Sequence, residues 1–97
     1  MLIRSQNKLS FVNIDNIEKM NIFEYMVTDK KCVWNIECPT GSEDNLIGKY
    51  STKEKALKVL DMICDNYKTL KTFSNNVHLG DPYVFEMPND EDIIIWS

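Results

Sequence analysis

A striped segment in the middle of the chain limits the possible folds most strongly. Its apolar residues recur at steps of three and four, which is the spacing of one face of an α helix. They are Ala56, Leu60, Ile63, Tyr67 and Leu70, with Leu57, Val59 and Cys64 widening the stripe. Ser51 and Glu54 match a capping box, in which the serine accepts a hydrogen bond from the glutamate amide. The sequence therefore predicts one amphipathic helix over residues 52–71.

Short segments rich in β-branched and aromatic residues lie on both sides of this helix and predict strands. They are Leu2–Arg4, Leu9–Ile14, Ile22–Thr28, Cys32–Cys38, Asn45–Tyr50 and Tyr83–Met87. Apolar residues alternate with polar ones from Cys32 to Cys38, which predicts one face toward a core and the other, with Asn35 and Glu37, toward water. Residues 39–44 predict a polar loop, and Gly48 predicts a bulge or a close backbone contact.

These elements indicate the fold class and the domain organisation. A chain of 97 residues with 43% apolar side chains is the size of one globular domain. We expect a single domain over residues 1–97, of the α+β class, with an antiparallel sheet packed on one long amphipathic helix.

The charge is unevenly distributed along the chain. Residues 1–71 carry 11 basic and 10 acidic side chains, whereas residues 72–97 carry five acidic side chains and no basic one. The five are Asp81, Glu86, Asp90, Glu91 and Asp92. A negative field repels nucleic-acid phosphates and attracts basic proteins, so direct nucleic-acid binding is disfavoured and a basic protein partner is permitted. The alternative is that these carboxylates only solvate a surface hairpin, which is the usual role of a run of charges.

Targeting signals and the cysteines indicate the compartment. The first residues lack the apolar stretch of a signal peptide, and no apolar run approaches the roughly 20 residues that cross a bilayer. Cys32, Cys38 and Cys64 are an odd number, at spacings that match neither a disulfide framework nor a CxxC metal site. We expect a cytoplasmic protein with no membrane contact and with reduced, mostly buried thiols.

The sequence offers little for catalysis. His78 is the only histidine and has no nucleophile beside it, and the three glycines are too scattered for a phosphate-binding loop. The paired carboxylates Glu43–Asp44 and Asp90–Asp92 lie in polar turns, where nothing raises their pKa for acid–base work. We therefore expect no enzyme activity, no cofactor and no metal.

The end of the chain is the strongest candidate for a binding site. An apolar run, Ile93–Trp96, follows the acidic turn and predicts either a buried last strand or an edge strand that pairs with a partner or a second copy. Most of the amphipathic aromatic side chains are expected in the core, but this residue class is enriched at interfaces. The candidate partner-binding residues are Asp90, Glu91, Asp92 and Trp96.

Three segments together resemble a known family. They are Ile3–Asn7, which contains an IRSQ start, Ile47–Asp61, which resembles the family pattern LG.Y.S.E.A..VL, and Tyr83–Pro88, which resembles the family ending Y.MP. This order is similar to a widespread family of small proteins from phages, plasmids and AT-rich Gram-positive bacteria. The bias toward Ile, Asn and Lys agrees with an AT-rich gene. Residues 93–96 lie beyond the usual end of the family, and the motifs carry no catalytic residue.

The resemblance implies an accessory protein of mobile elements, a group in which small acidic proteins often inhibit host defence. Anti-CRISPR proteins are the best-populated class of such inhibitors. The expected function is therefore stoichiometric binding, through the acidic surface, to a basic surface of an RNA-guided defence nuclease, and self-association remains open. The alternative is an oligomeric sponge that sequesters a nucleotide defence signal, which would need a basic, aromatic-lined pocket.

Overall fold

The computed structural model describes residues 1–40, 43–73 and 84–94. The strands are β1 (Leu2–Arg4), β2 (Phe11–Asn13), β3 (Asn21–Thr28), β4 (Lys31–Thr40), β5 (Glu43–Tyr50) and β6 (Val84–Glu86). One helix, α1, spans Lys53–Phe73, and two short 3-10 helices span Ile14–Asn16 and Asp90–Asp92. The α+β class predicted from the sequence is confirmed, with one antiparallel three-stranded sheet.

That antiparallel sheet has the strand order β3-β4-β5. The predicted polar loop over residues 39–44 is wrong in its extent, because Pro39 pairs with Asp44 and Thr40 with Glu43 in the β4–β5 ladder. The pairing of β4 with β3 ends earlier, where Asn21 lies opposite Glu37. Beyond that point β4 has one neighbour, so the missing amide of Pro39 can face the side without a strand.

The second sheet has the order β2-β1-β6 and corrects the expectation of a single antiparallel sheet. β1 and β2 form an antiparallel hairpin, with Ile3 opposite Val12. β1 also pairs with β6, and this pair is parallel, with Ile3 opposite Phe85. Parallel neighbours need a long connection, and here most of the chain lies between the two strands.

Helix α1 contributes to the same core as both sheets. Ala56, Val59 and Ile63 are buried on it. They belong to one hydrophobic cluster with Ile3, Ile36, Cys38, Ile47, Tyr50, Phe85, Met87 and Ile93. Leu57 is 44% exposed and Cys64 is exposed, so the predicted stripe is too wide. Both residues follow a buried residue by one position, which turns them about 100° away from it.

The start of the helix differs from the predicted capping box. The Thr52 hydroxyl, not that of Ser51, accepts a hydrogen bond from a helix amide, that of Lys55, at 3.2 Å. Thr52 thus lies three residues before its donor, the usual spacing of an N-cap. Ser51 is instead hydrogen-bonded to the distant Asp90.

Gly48 matches both parts of its prediction. The β4–β5 register shifts between Ile36 and Glu37, so that Ile47 is an extra residue beside Gly48. A Cβ atom on Gly48 would lie 2.8 Å from the ring of Tyr50 and 2.9 Å from the Met87 methyl group. Glycine at this position therefore lets a buried tyrosine ring pack directly on the strand backbone.

The alternation predicted for β4 holds for only one of its faces. Ile36 and Cys38 are fully buried, but Glu37, predicted to face water, is only 5% exposed. Asn21 and Leu46 lie opposite Glu37 on the two neighbouring strands. A central strand is flanked on both sides, so its outward side chains can be covered by those of its neighbours.

Candidate functional site

The predicted acidic turn is attached to the start of the helix. The Asp90 carboxylate accepts hydrogen bonds from the Ser51 amide at 2.7 Å and the Ser51 hydroxyl at 3.0 Å. Lys55 Nζ lies 3.4 Å from the same carboxylate and 3.0 Å from the Asp90 carbonyl oxygen. Asp90 therefore fixes the turn to the folded body, whereas the sequence indicated only a role in binding.

The ionisation of two side chains reflects this attachment. Burial opposes ionisation of Asp90, but the bonds from Ser51 and the charge of Lys55 outweigh it and lower the pKa of the carboxyl. Tyr50 lies nearby, and burial together with the negative charge of Asp90 raises the pKa of its hydroxyl. The tyrosine therefore remains neutral, and its hydroxyl donates a hydrogen bond to the Pro88 carbonyl oxygen at 2.8 Å.

The other two predicted acidic residues are free of such contacts. Glu91 and Asp92 are exposed, and within the described residues their carboxylates form neither a hydrogen bond nor an ion pair. Two lysines of α1 lie close to the turn and offset part of its negative charge. Lys55 contacts Asp90, and Lys58 Nζ donates to the Ile94 carbonyl oxygen at 2.6 Å. Of the three carboxylates in the turn, two are therefore left to form a negative surface.

The last apolar run is only partly described. Ile93 is buried, Ile94 is 59% exposed, and neither residue is part of a strand. The predicted last strand is therefore wrong for these two residues. Trp96, the fourth predicted binding residue, lies outside the described residues, as does His78.

Three segments that are far apart in the sequence meet in one place, which we name the terminal junction and define as residues 4–6, 48–50 and 86–88. Gln6 occupies its centre. The Gln6 side chain accepts from the Lys49 amide at 2.9 Å and donates to the carbonyl oxygens of Lys49 and Pro88, both at 3.2 Å. Arg4 adds an ion pair to Glu86 at 3.3 Å, which Lys8 joins at 3.7 Å.

Ser5 and Asn7, which belong to the IRSQ segment, stabilise the turn that follows β1. The Ser5 hydroxyl donates to the Asn7 side chain at 2.6 Å and accepts from the Ser10 amide at 3.1 Å. Ser5 is only 2% exposed, and Lys8 has a φ of 69° in the turn that follows. The motif therefore builds the turn between β1 and β2 and holds it against β5, which is a structural role.

An open groove of about 430 Å³ runs between β2 and the middle of β5. Its lining residues are Ser10, Phe11, Val12, Asn13, Asn16, Ile17, Asn45, Leu46 and Ile47. None of these nine side chains is charged. The groove is therefore not the basic pocket that a nucleotide would require.

The described residues also include an exposed apolar surface that the sequence patterns did not predict. It is the β3–β4 hairpin, residues 21–34, where Phe23 is 40%, Tyr25 45%, Met26 64% and Val27 56% exposed. The rings of Phe23 and Tyr25 lie 6.4 Å apart and tilted. Exposure depends on the neighbours of a strand, and its own sequence does not reveal them.

The cysteines and the remaining acidic groups form no further site in the described part of the chain. All three cysteines are free, and Cys38 is buried, Cys32 half-buried and Cys64 exposed, so the expectation of mostly buried thiols holds only for Cys38. Burial raises the pKa of Cys38 to about 11, which keeps that thiol protonated. Among the described residues, no group of three potential metal ligands comes together.

The chain was compared with protein families, curated proteins and solved structures. No family model, curated protein or solved structure matches the chain. In the described residues, α1 is not apolar enough to span a membrane. The functional argument therefore rests on the residues and their contacts.

Proposed function

We propose that this protein is a non-enzymatic inhibitor that binds a host defence effector stoichiometrically, in the manner of anti-CRISPR proteins. Its partner would be a basic surface of an RNA-guided nuclease, met in the cytoplasm. In this proposal α1 is the amphipathic support of the fold, and the binding surface contains the turn at residues 90–92.

The observation that carries the proposal is the way the turn presents two carboxylates. Asp90 is attached to Ser51 and Lys55, while the neighbouring Glu91 and Asp92 are exposed and unpaired among the described residues. A pair of charges on a backbone that is already fixed loses less conformational freedom on binding than the same pair on a mobile tail. Such an arrangement favours recognition of a cationic surface.

The competing function, a sponge for a nucleotide signal, has less support. Phosphate groups need cations that surround them. The groove between β2 and β5 has no charged lining residue, whereas Lys55 and Lys58 are already bonded to the C-terminal segment. Protein binding is therefore the better proposal.

The test is co-purification with a panel of RNA-guided nucleases, followed by kinetic measurement of any complex. Neutralising the exposed pair with Glu91→Gln and Asp92→Asn should slow association by about three- to tenfold at low salt, with a smaller effect as salt rises. Steering charges act mainly on the association rate, so dissociation should change little.

The matched control is Asp61→Asn with Asp65→Asn, which changes the net charge by the same amount at two exposed positions on α1. If both double variants slow association equally, the effect comes from net charge and not from the turn. If no effector is retained and a cyclic nucleotide binds instead, the proposed function is wrong.

A further inference from the structure

The face of the β3–β4–β5 sheet that points away from α1 contains a buried acidic side chain. Ile36 and Cys38 of β4 are fully buried in the core that α1 also forms. Side chains alternate along a strand, so Asn35 and Glu37 lie on the opposite face. Glu37 is only 5% exposed, and its carboxylate forms neither a hydrogen bond nor an ion pair with any residue that the structure describes. A carboxylate that is largely removed from water is unfavourable unless a cation reaches it.

A second oxygen without a partner lies next to this carboxylate. The side-chain oxygen of Asn35 is buried and accepts no hydrogen bond from the described part of the chain. Residues two apart on one strand share a face and are separated by roughly 7 Å along it, which long or forked side chains can span. Asn35 and Glu37 thus present neighbouring acceptor oxygens that the described residues leave unused, and such groups normally have a partner.

The neighbouring strands place an aromatic ring and a lysine on the same face. Phe23 on β3 and Lys49 on β5 both lie opposite Asn35, and residues opposite each other in a sheet point to the same side. Phe23 is 40% exposed. Lys49 is exposed, and its ammonium group forms no ion pair with Glu37. The face therefore combines a partly exposed ring with a carboxylate that the nearby lysine does not neutralise by direct contact.

These groups favour one kind of ligand. A calcium or magnesium ion needs more oxygen ligands than one carboxylate and one amide, and in the described residues no group of three potential metal ligands forms. A guanidinium is planar, carries five N–H donors, binds a carboxylate through two parallel hydrogen bonds and stacks on aromatic rings. A lysine ammonium is a point charge and lacks this forked geometry. The carboxylate of Glu37 would repel a phosphate group, so an arginine side chain is the ligand that uses every group of the site.

We propose that Phe23, Asn35 and Glu37, which we name the outer-face site, bind an arginine side chain of a basic protein. The Glu37 carboxylate accepts two hydrogen bonds from the guanidinium, the Asn35 oxygen accepts a third, and the Phe23 ring packs against the guanidinium plane. The turn at residues 90–92 is attached to the start of α1, on the other side of the sheet, so the two surfaces are separate. The outer-face site requires an arginine and not a nuclease, so it does not depend on the proposed function.

Two peptides of equal length and charge test the proposal, one with arginine and the other with lysine at every charged position. Isothermal titration of the wild type should show the arginine peptide binding about three- to tenfold more tightly, because only the guanidinium forms the forked pair with Glu37. Glu37→Gln should weaken binding of the arginine peptide by about five- to tenfold and abolish the preference over lysine. Glutamine has nearly the shape of glutamate, so the variant should fold, as its circular dichroism spectrum and melting curve will show.

The matched control is Glu91→Gln, the same change at an exposed carboxylate of the turn. It should weaken binding of both peptides by the same small factor and leave the preference for arginine intact. Phe23→Leu removes the ring at a residue that is 40% exposed, and it should reduce the preference by about twofold or more even if Glu37→Gln folds poorly. A wild type that binds neither peptide or both equally, or equal loss of the preference in the Glu37 and Glu91 variants, overturns the proposal.

Discussion

The terminal junction and the β3–β4 hairpin differ in how their polar and apolar groups are used. In the junction, Gln6 makes three hydrogen bonds to backbone atoms of two distant segments, and Met87 is 1% exposed. In the hairpin, Met26 is 64% exposed, and just beyond it on β4 Asn35 has a buried side-chain oxygen without a hydrogen-bond partner among the described residues. The junction thus uses its polar and apolar groups to hold the fold together, whereas the hairpin leaves apolar side chains exposed.

The difference shows what the polar side chains of the junction do. Gln6 and Tyr50 both donate to the Pro88 carbonyl oxygen, which joins the turn after β1 and the end of β5 to the segment after β6. The hairpin contains neither of them. These residues maintain the fold and leave function to other surfaces.

The largest expected effect concerns methionine, which occurs both in the junction and in the hairpin. Met87→Ala should destabilise the protein by about 2 to 5 kcal/mol, because it removes a fully buried side chain and leaves a cavity. Met26→Ala should change stability by less than about 0.5 kcal/mol. Urea denaturation of both variants measures the contrast, and similar losses would show that the hairpin is packed after all.

A smaller contrast concerns side-chain amides. Gln6→Ala should cost about 1 to 3 kcal/mol, since the amide of Lys49 and the carbonyl oxygen of Pro88 lose a partner. Asn35→Ala removes a buried oxygen that has no partner and should cost less than about 0.5 kcal/mol. Thermal unfolding of the two variants checks this. A larger loss for Asn35 would mean that its amide has a structural function.

The smallest expected effect concerns the charge of Asp90. The pKa of Asp90 is below the ordinary 3.8, so its charge stabilises the fold above that pH and ceases to do so as the pH falls through the lowered pKa. Asp90→Asn should therefore lower stability at neutral pH by about 0.2 to 1 kcal/mol, as for a partly exposed ion pair.

The pH dependence of that effect is its check. The deficit of Asp90→Asn should shrink as the pH falls below the ordinary aspartate value, where the wild-type carboxyl also becomes neutral. Glu91→Gln, at the neighbouring exposed carboxylate, should show no such change. Melting curves at several pH values separate the two, and a constant deficit would contradict the role given to the Asp90 charge.

Local patterns predicted the elements of the fold but not the pairing of distant segments. The stripe placed the helix at residues 52–71, close to the observed Lys53–Phe73, because helical periodicity is contained within the segment itself. The helix cap was wrong because Ser51 and Thr52 both suit it, and a contact with Asp90, 39 residues away, decides between them.

The candidate site was predictable only in part. The acidic turn was evident from composition, but the division between a bonded Asp90 and an exposed Glu91 and Asp92 depends on Lys55 from another element. The parallel β1–β6 pair and the position of β3 at the edge of its sheet are properties of the tertiary arrangement. Both depend on residues that are far apart in the sequence, so no local pattern predicts them.

The pairing of β1 with β6 also sets a condition on synthesis. Arg4 and Glu86 are 82 residues apart, so the strand at the start of the chain must wait for the strand near its end. At a synthesis rate of 5 to 20 residues per second, the wait is roughly 4 to 16 s. The β3–β4–β5 meander can form earlier, and its core residues Ile36 and Ile47 then lack Ile3 and Phe85, their partners from the second sheet, until that sheet is complete.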